Sequence, residues 1–219
     1  LADLLDKIYP GINVFGAIAL NREVGGVNPI AAETSAKLGA KVIWMPTFSA
    51  HHWVQKDSNA KGLRIFDDNE QLTNETIEVI EIIAEHDILL ASGHVSPPEV
   101  KALFEEAKRR GVKKMIATHP YQVMSLDEQK YLTELGVYIE YTFQTCMPNI
   151  NTLSINGLID ILNTLGTQNC VITTDFGQWM NPTPAEGMRM AISLLLEAGL
   201  EAEKISEIVK ENPKTLLGI

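Results

Sequence analysis

Amphipathic segments alternate with short apolar segments along the whole sequence. Four of the amphipathic segments end in glycine just before an apolar, β-branched segment, at Gly39, Gly111, Gly136 and Gly166. A glycine directly after a helix readily takes the left-handed conformation that ends it. Short, continuous apolar segments are typical of strands that are buried on both faces of a parallel sheet. The pattern therefore predicts strands that alternate with helices, which is the α/β class.

Capping motifs mark where the predicted helices begin. Ser96–Glu99 and Ser125–Glu128 each have a serine followed three residues later by a glutamate, which is the capping-box pattern. Asn28 and Thr183 each precede a proline, which is favoured at the first helical position. The motifs and the apolar segments predict this order: helix 1–9, strand 12–20, helix 29–38, strand 41–47, loop 48–72, helix 73–85, strand 88–93, helix 97–110, strand 114–118, helix 126–135, strand 137–143, helix 153–165, strand 170–174, and helices 185–198 and 202–211.

Six strands that each lead into a helix are compatible with an open, doubly wound sheet or with an eight-stranded barrel that lacks two units. Neither a G-x-G-x-x-G fingerprint nor a P-loop is present, which disfavours the open nucleotide-binding sheet. The last three glycine stops lie 25 and 30 residues apart, so two further units would give the roughly 250 residues of a complete barrel. We predict a (β/α)8 TIM-type barrel, a single domain over residues 1–219, whose first two strands are missing at the N-terminus of this chain.

The charge balance restricts the binding partners. The chain of 219 residues has 18 Lys and Arg against 28 Asp and Glu, a formal net charge of −10. Nucleic acid and anionic membranes both require a basic face, so neither is expected as a partner. Cys146 and Cys170 lie in or beside apolar segments and are expected to be buried thiols in a reducing compartment. We expect a cytoplasmic homo-oligomer that acts on a small molecule.

Residues that can bind metals follow several predicted strands directly. They are His51 and His52 after strand 41–47, His94 after strand 88–93, His119 after strand 114–118, and Asp175 after strand 170–174. The carboxyl ends of barrel strands open on one face, where active sites are built. A divalent cation there requires imidazoles and carboxylates from different strands. One such histidine is more often a loop residue bonded to backbone, but three groups at matching strand ends favour a metal site.

Three segments resemble the metal positions on the fifth, sixth and eighth strands of the amidohydrolase superfamily: Ser92–His94, Ala117–Pro120 and Thr173–Asp175. The C-terminal segment 205–218, with Asn212-Pro213, resembles the ending common in that superfamily. Thr174–Gln178 and Asn181-Pro182 resemble an uncharacterised branch of amidohydrolase-related proteins. In order and spacing, the resemblance covers the whole chain.

The resemblance implies a metal-dependent hydrolase, in which activated water attacks an amide, lactone or ester bond of a small molecule. It implies one or two divalent ions, above all Zn²⁺, with His51, His94, His119 and Asp175 as ligands. Asp175 would carry the proton to the leaving group, and either the metal or His119 would polarise the scissile carbonyl. The residues expected to contact substrate are His52, Arg22, Tyr121, Gln178, Trp179 and Asn181. Arg22 would pair with a carboxylate or phosphate, or else with Glu23.

The sequence also departs from the superfamily pattern. The His-x-His of the first strand is absent, and Val42–Pro46 lacks the lysine or glutamate that bridges two metals on the fourth strand. Glu140 in strand 137–143 would point either into the barrel or outward to solvent. A decarboxylase, isomerase or phosphoesterase on the same barrel, or a barrel without catalytic activity, therefore remain alternatives.

Overall fold

The computed structural model describes residues 1–55 and 61–219. The chain divides into two compact units, Leu1–Ile116 and Ala117–Ile219. The described residues form six parallel strands that alternate with helices, so the predicted α/β class is confirmed. The prediction of a single domain over residues 1–219 stays a prediction.

Parallel pairing joins the strands of the first unit in chain order. The strands are β1 (Ala17–Ala19), β2 (Val42–Trp44), β3 (Leu89–Ala91) and β4 (Met115–Ala117), which ends at the unit boundary. Ile18, Ile43 and Leu90 lie opposite one another across the first three strands. Ile43 and Leu90 are completely buried, as expected for a parallel sheet covered by helices.

The described part of the first unit contains five α-helices: α1 (Ala2–Ile8), α2 (Pro29–Lys37), α3 (His51–Val54), α4 (Asn74–Glu85) and α5 (Pro97–Arg109). The predicted capping box at the start of α5 is present. Its Glu99 is 2% exposed and accepts hydrogen bonds from Ser96 Oγ at 2.6 Å and from the backbone N–H of Ile65 at 2.9 Å. The cap therefore also fixes the segment that precedes α4.

The second unit contains the parallel pair β5 (Tyr138–Thr142) and β6 (Cys170–Thr173). Its helices are α6 (Leu126–Glu134), α7 (Ile155–Leu165), α8 (Pro184–Glu197), α9 (Ala202–Ser206) and α10 (Asn212–Leu217). Ile139 and Tyr141 of β5 are buried, whereas Glu140 between them is half-buried on the other face. The two-residue period of a strand thus separates Glu140 from the apolar packing.

The Asn-Pro segment near the C-terminus has a structural role in the second unit. A π-helical turn, Glu207–Glu211, joins α9 to α10 and brings Asn212 against the start of β6. The buried Asn212 amide donates to the carbonyl oxygens of Thr167 at 2.8 Å and Cys170 at 2.7 Å. Buried carbonyl groups require such partners, and Asn212 supplies them from one side chain.

The structure refines several predicted boundaries. The strands are shorter than predicted, and the predicted loop 48–72 contains the short helix α3, while residues 56–60 of that loop lie outside the described residues. The predicted helix 202–211 is instead α9, the π-helical turn and α10, which extends to Leu217. Among the described residues, none of the helices combines the length and apolar character that crossing a membrane requires.

Candidate active site

His119, Glu140 and Asp175 form an electrostatic cluster in the second unit. His119 lies two residues after β4, Glu140 lies within β5, and Asp175 lies two residues after β6. His119 has a φ of 29° and Asp175 a φ of 53°. Positive φ is uncommon for residues other than glycine, and backbone strain of this kind concentrates at functional sites. The strained backbone at both strand ends therefore favours a functional site.

Glu140 lies at the centre of this cluster. Thr173 on the neighbouring strand donates from its Oγ1 to Glu140 Oε1 at 2.9 Å. Burial raises the pKa of the Glu140 carboxyl, and the negative charge of Asp175 raises it further. The charge of His119, the hydrogen bond from Thr173 and a backbone hydrogen bond from His119 oppose that rise. The side chain thus lies on the inward side, one of the two orientations that the sequence left open.

Asp175 is the second carboxyl group of the cluster. The residue is exposed to solvent as a whole, but partial burial of its carboxyl group raises its pKa, which the charge of His119 partly counteracts. Two carboxyl groups with raised pKa values therefore share one imidazole. Such groups gain and lose protons closer to neutral pH than ordinary carboxylates, which suits them to acid–base catalysis.

His94 has a different environment, in the first unit. Its ring packs on Trp53 with ring centroids 4.4 Å apart and lies edge-on to Phe48 at 5.7 Å. Its backbone N–H donates to the carbonyl oxygen of Pro46 at 2.9 Å. The preceding Gly93 has a φ of 61°, and a side chain there would collide with the Met45 and Pro46 carbonyl groups. Gly93 thus lets the end of β3 approach the end of β2, which explains the glycine of the Ser92–His94 motif.

His51 and His52 open the short helix α3. His51 Nε2 lies 2.7 Å from the side-chain Nε2 of Gln55, the residue that follows α3, so the His51 ring contacts the end of its own helix. His52 Nε2 is shielded from solvent and has no hydrogen-bond partner among the described residues. The two adjacent histidines therefore differ in the environment of Nε2, which has a neighbour in His51 but no hydrogen-bond partner in His52 within the described residues.

Asn21, which the sequence reasoning missed, joins the loops that follow β1 and β2. Its amide donates to Thr47 Oγ1 at 2.8 Å, and its Oδ1 accepts from the backbone N–H groups of Thr47 at 2.8 Å and Ser49 at 3.2 Å. The backbone N–H of the next residue, Arg22, donates to Ser49 Oγ at 3.2 Å. An asparagine directly after a strand was the available signal, since its amide both donates and accepts.

The other predicted substrate contacts lie in loops of the second unit. The Tyr121 hydroxyl group donates a hydrogen bond to the Thr152 carbonyl oxygen at 2.8 Å. Asn181 donates to Gln178 Oε1 at 2.7 Å, and Gln178 donates to the backbone carbonyl of Asp175 at 3.0 Å. Gln178 and Asn181 therefore order the loop that presents Asp175, while Trp179 between them is 92% exposed. Their roles as substrate contacts stay predictions.

The donor types of the second-unit cluster fit a divalent cation. Imidazole nitrogen and carboxylate oxygen are both Zn²⁺ ligands, and a cation would favour the ionised form of carboxyls whose pKa values are raised. Across residues 1–55 and 61–219, however, the structure contains no group of three or more His, Cys, Asp or Glu side chains that could hold a metal ion. The assignment of His51, His94, His119 and Asp175 as ligands stays a prediction.

Comparison with known proteins places the chain in a family. The profile of the Family of unknown function (DUF6282) matches residues 1–140, which is more than half of the chain. The chain belongs to the DUF6282 family. The match includes His94, His119 and Glu140 of this DUF6282 protein, while Asp175 lies beyond it. No curated protein matches the chain.

Solved structures show the fold of this DUF6282 protein. An amidohydrolase from Pseudomonas aeruginosa matches with a TM-score of 0.59 and 13% identity over 86% of this chain and 67% of its own. A putative 2-pyrone-4,6-dicarboxylic acid hydrolase from Pseudomonas putida matches with a TM-score of 0.60 and 14% identity. This match covers 96% of this chain and 74% of the hydrolase. A metallo peptidase from Rhodobacter sphaeroides, liganded with a phosphinate mimic of a dipeptide, matches with a TM-score of 0.64 and 14% identity. This match covers 93% of this chain and 62% of the peptidase.

These matches confirm the predicted resemblance at the level of fold. The DUF6282 chain has the TIM-barrel type of fold found in the amidohydrolase superfamily, with six strands described rather than eight. It spans 67% of the length of the Pseudomonas aeruginosa protein and 62% of the Rhodobacter protein. The neighbours named here are hydrolytic enzymes by their descriptions.

Proposed function

We propose that the chain is a hydrolase of the amidohydrolase type, which cleaves an amide, lactone or ester bond of a small molecule. The observation that carries this proposal is the cluster of His119, Glu140 and Asp175, in which two carboxyl groups with raised pKa values share one imidazole. The hydrolytic neighbours of the same fold support it. Hydrolysis needs a proton taken from water and a proton given to the leaving group, and this cluster can do both.

Asp175 is the proton carrier in this proposal. Its exposed position at the end of β6 lets a substrate reach it, and its raised pKa improves the carboxyl as a base and keeps it able to return the proton. The loop hydrogen bond from Gln178 to the Asp175 carbonyl fixes the backbone that presents the carboxylate. Glu140, whose Oε1 accepts a hydrogen bond from Thr173, is the other carboxyl group that interacts with His119.

A divalent cation would be held in this site by the imidazole of His119 and the carboxylate of Asp175, and would supply the Lewis acidity that activates water and polarises a carbonyl group. Both donors lie two residues after a strand, at positions where φ is positive. Glu140 would remain hydrogen-bonded to Thr173 and balance the positive charge.

Replacement of Asp175 tests the proposal. We expect Asp175→Asn to lower kcat/KM on a panel of small esters, lactones and amides by about 10²- to 10⁴-fold, because the amide cannot accept the proton. Asp160→Asn is the matched control, since Asp160 is an exposed carboxylate on α7 of the same unit. Metal content by plasma mass spectrometry, measured on wild type and both variants, reports whether Asp175 also binds an ion. Full activity of Asp175→Asn, or no turnover of any substrate by the wild type, contradicts the proposal.

A further inference from the structure

Two arginines of the first unit differ from the other arginines of the chain. Of the five arginines, Arg109, Arg110 and Arg189 each form an ion pair with a nearby glutamate. Within residues 1–55 and 61–219, Arg22 and Arg64 take part in no ion pair. Acidic residues outnumber basic residues by ten, so acidic side chains are plentiful along the chain. Both arginines are exposed, and their guanidinium groups can therefore donate hydrogen bonds to an external anion.

Ser49 brings the two arginines to the same part of the first unit. The backbone N–H of Arg22 donates to Ser49 Oγ at 3.2 Å, and the backbone N–H of Leu63 donates to the Ser49 carbonyl oxygen at 2.7 Å. Arg64 directly follows Leu63. Arg22 itself bonds the buried Ser49, and the residue before Arg64 bonds the same serine. The loops that follow β1 and β2 therefore meet at Ser49.

An aromatic ring lies exposed in the same loops. Phe48 is 70% exposed, although Asn21 fixes the backbone on both sides of it by bonding Thr47 and Ser49. The ring makes edge contacts with Trp53 and His94, each with centroids 5.7 Å apart. An exposed aromatic ring on the same loops as two arginines that form no ion pair within the described residues offers both contacts that a small molecule with an apolar body and an anionic group requires.

We propose that the loops after β1 and β2 bind an anionic small molecule with a planar, apolar body, in which Arg22 and Arg64 pair with its carboxylate or phosphate and Phe48 packs on the body. Arginine presents two parallel N–H groups that match the two oxygens of either anion. The proposal concerns the first unit alone and is separate from the proposed function, because the binding itself can be measured without turnover.

Isothermal titration with simple probes tests the charge requirement. We expect benzoate and phenyl phosphate to bind the wild-type protein with Kd below about 1 mM, and benzyl alcohol and benzylammonium to bind at least about tenfold more weakly. Arg22→Gln and Arg64→Gln should each weaken the binding of the preferred anion by about tenfold or more. Arg189→Gln is the matched control, since Arg189 is 76% exposed on α8 and pairs with Glu186.

The aromatic contact has a test of its own. Phe48→Ala should weaken the same anion by about tenfold, because it removes the ring on which the apolar body packs. Ile30→Ala is the matched control, since Ile30 is a 77% exposed apolar side chain on α2 of the same unit. Circular dichroism and thermal unfolding confirm that each variant is folded before its binding is compared.

The outcomes separate the two proposals. A preference for phenyl phosphate assigns a phosphate ligand and a preference for benzoate assigns a carboxylate ligand, and either supports the anion site. Equal binding of benzyl alcohol, no binding of either anion, or unchanged binding by both arginine variants would overturn it. Anion binding without hydrolysis of any ester leaves the recognition surface standing and removes the hydrolase.

Discussion

The two units each present a histidine just after a strand, but the surroundings of the two rings differ. In the first unit, His94 packs on Trp53 and meets the edge of Phe48. In the second unit, His119 acts on the pKa values of Glu140 and Asp175. His94 thus has aromatic neighbours, whereas His119 interacts electrostatically with two carboxyl groups.

From this contrast we propose different roles for the two units. The first unit combines aromatic rings with Arg22 and Arg64, which form no ion pair within the described residues, and this suits recognition of a ligand. The second unit combines carboxyl groups with an imidazole, which suits transfer of protons. On this proposal, the role of a histidine that follows a strand depends on the residues that pack around it and not on its sequence position alone.

Separate replacement of the two histidines gives the largest expected difference in kcat. We expect His119→Asn to lower kcat by about 10²- to 10⁴-fold, because no imidazole remains beside the two carboxyl groups. We expect His94→Phe to keep most of kcat, because phenylalanine preserves the aromatic packing on Trp53. Steady-state kinetics on one ester or lactone substrate measures kcat for each variant.

The result for His94→Phe is the sharpest check on the comparison. A loss of kcat as large as that of His119→Asn would break the division of labour and support the sequence-based assignment of His94 as a metal ligand. Metal content measured on the same preparations gives an independent readout, since a lost ligand lowers metal affinity.

A smaller effect is expected from the buried amide that anchors β6. Asn212→Ala leaves the Thr167 and Cys170 carbonyl groups without their side-chain partner, so we expect the free energy of unfolding to fall by about 2–4 kcal/mol. Asn169→Ala is the control, because the half-buried Asn169 makes one longer bond of 3.3 Å to the Thr133 carbonyl and should cost below about 1 kcal/mol. Urea unfolding measures both. Equal losses would show that Asn212 has no special anchoring role.

Much of the fold could be predicted from the sequence because its signals are local. Helix ends depend on capping residues such as Ser96 and Ser125, and strands on apolar segments beside glycines. The strand lengths could not be predicted, because hydrogen-bond pairing ends before the apolar segment does. Helix α3 was missed since its four residues show no amphipathic period.

The site was predictable to a lesser degree. The residues that follow strands, His119 and Asp175, could be chosen because parallel strands present their carboxyl ends together. The inward orientation of Glu140 could not be chosen, because either face of β5 was compatible with its alternating pattern. Asn21 was missed because its role depends on Thr47 and Ser49, which are 26 and 28 residues away in the chain.

The smallest expected effect concerns an ion-pair cluster in the first unit. Glu106 accepts from Arg109 Nε at 2.8 Å and also pairs with Arg110, and these hydrogen bonds lower its pKa to about 2. A carboxyl whose pKa is lowered in the folded state stabilises the protein above its ordinary pKa of roughly 4.3, and that stability is lost as the pH falls toward 2.

We therefore expect Glu106→Gln to lower the free energy of unfolding by less than about 1 kcal/mol at pH 7, because solvent screens the ion pairs. The loss should be smaller at pH 3, because the stabilisation by the ionised carboxyl is lost as the pH falls. Glu78→Gln on α4 is the control, since Glu78 is exposed and forms no ion pair within the described residues. Urea unfolding at both pH values measures the difference. A loss above about 2 kcal/mol would mean that ion pairs rather than apolar packing hold α5 in place, whereas the buried Val100, Leu103 and Phe104 predict the opposite.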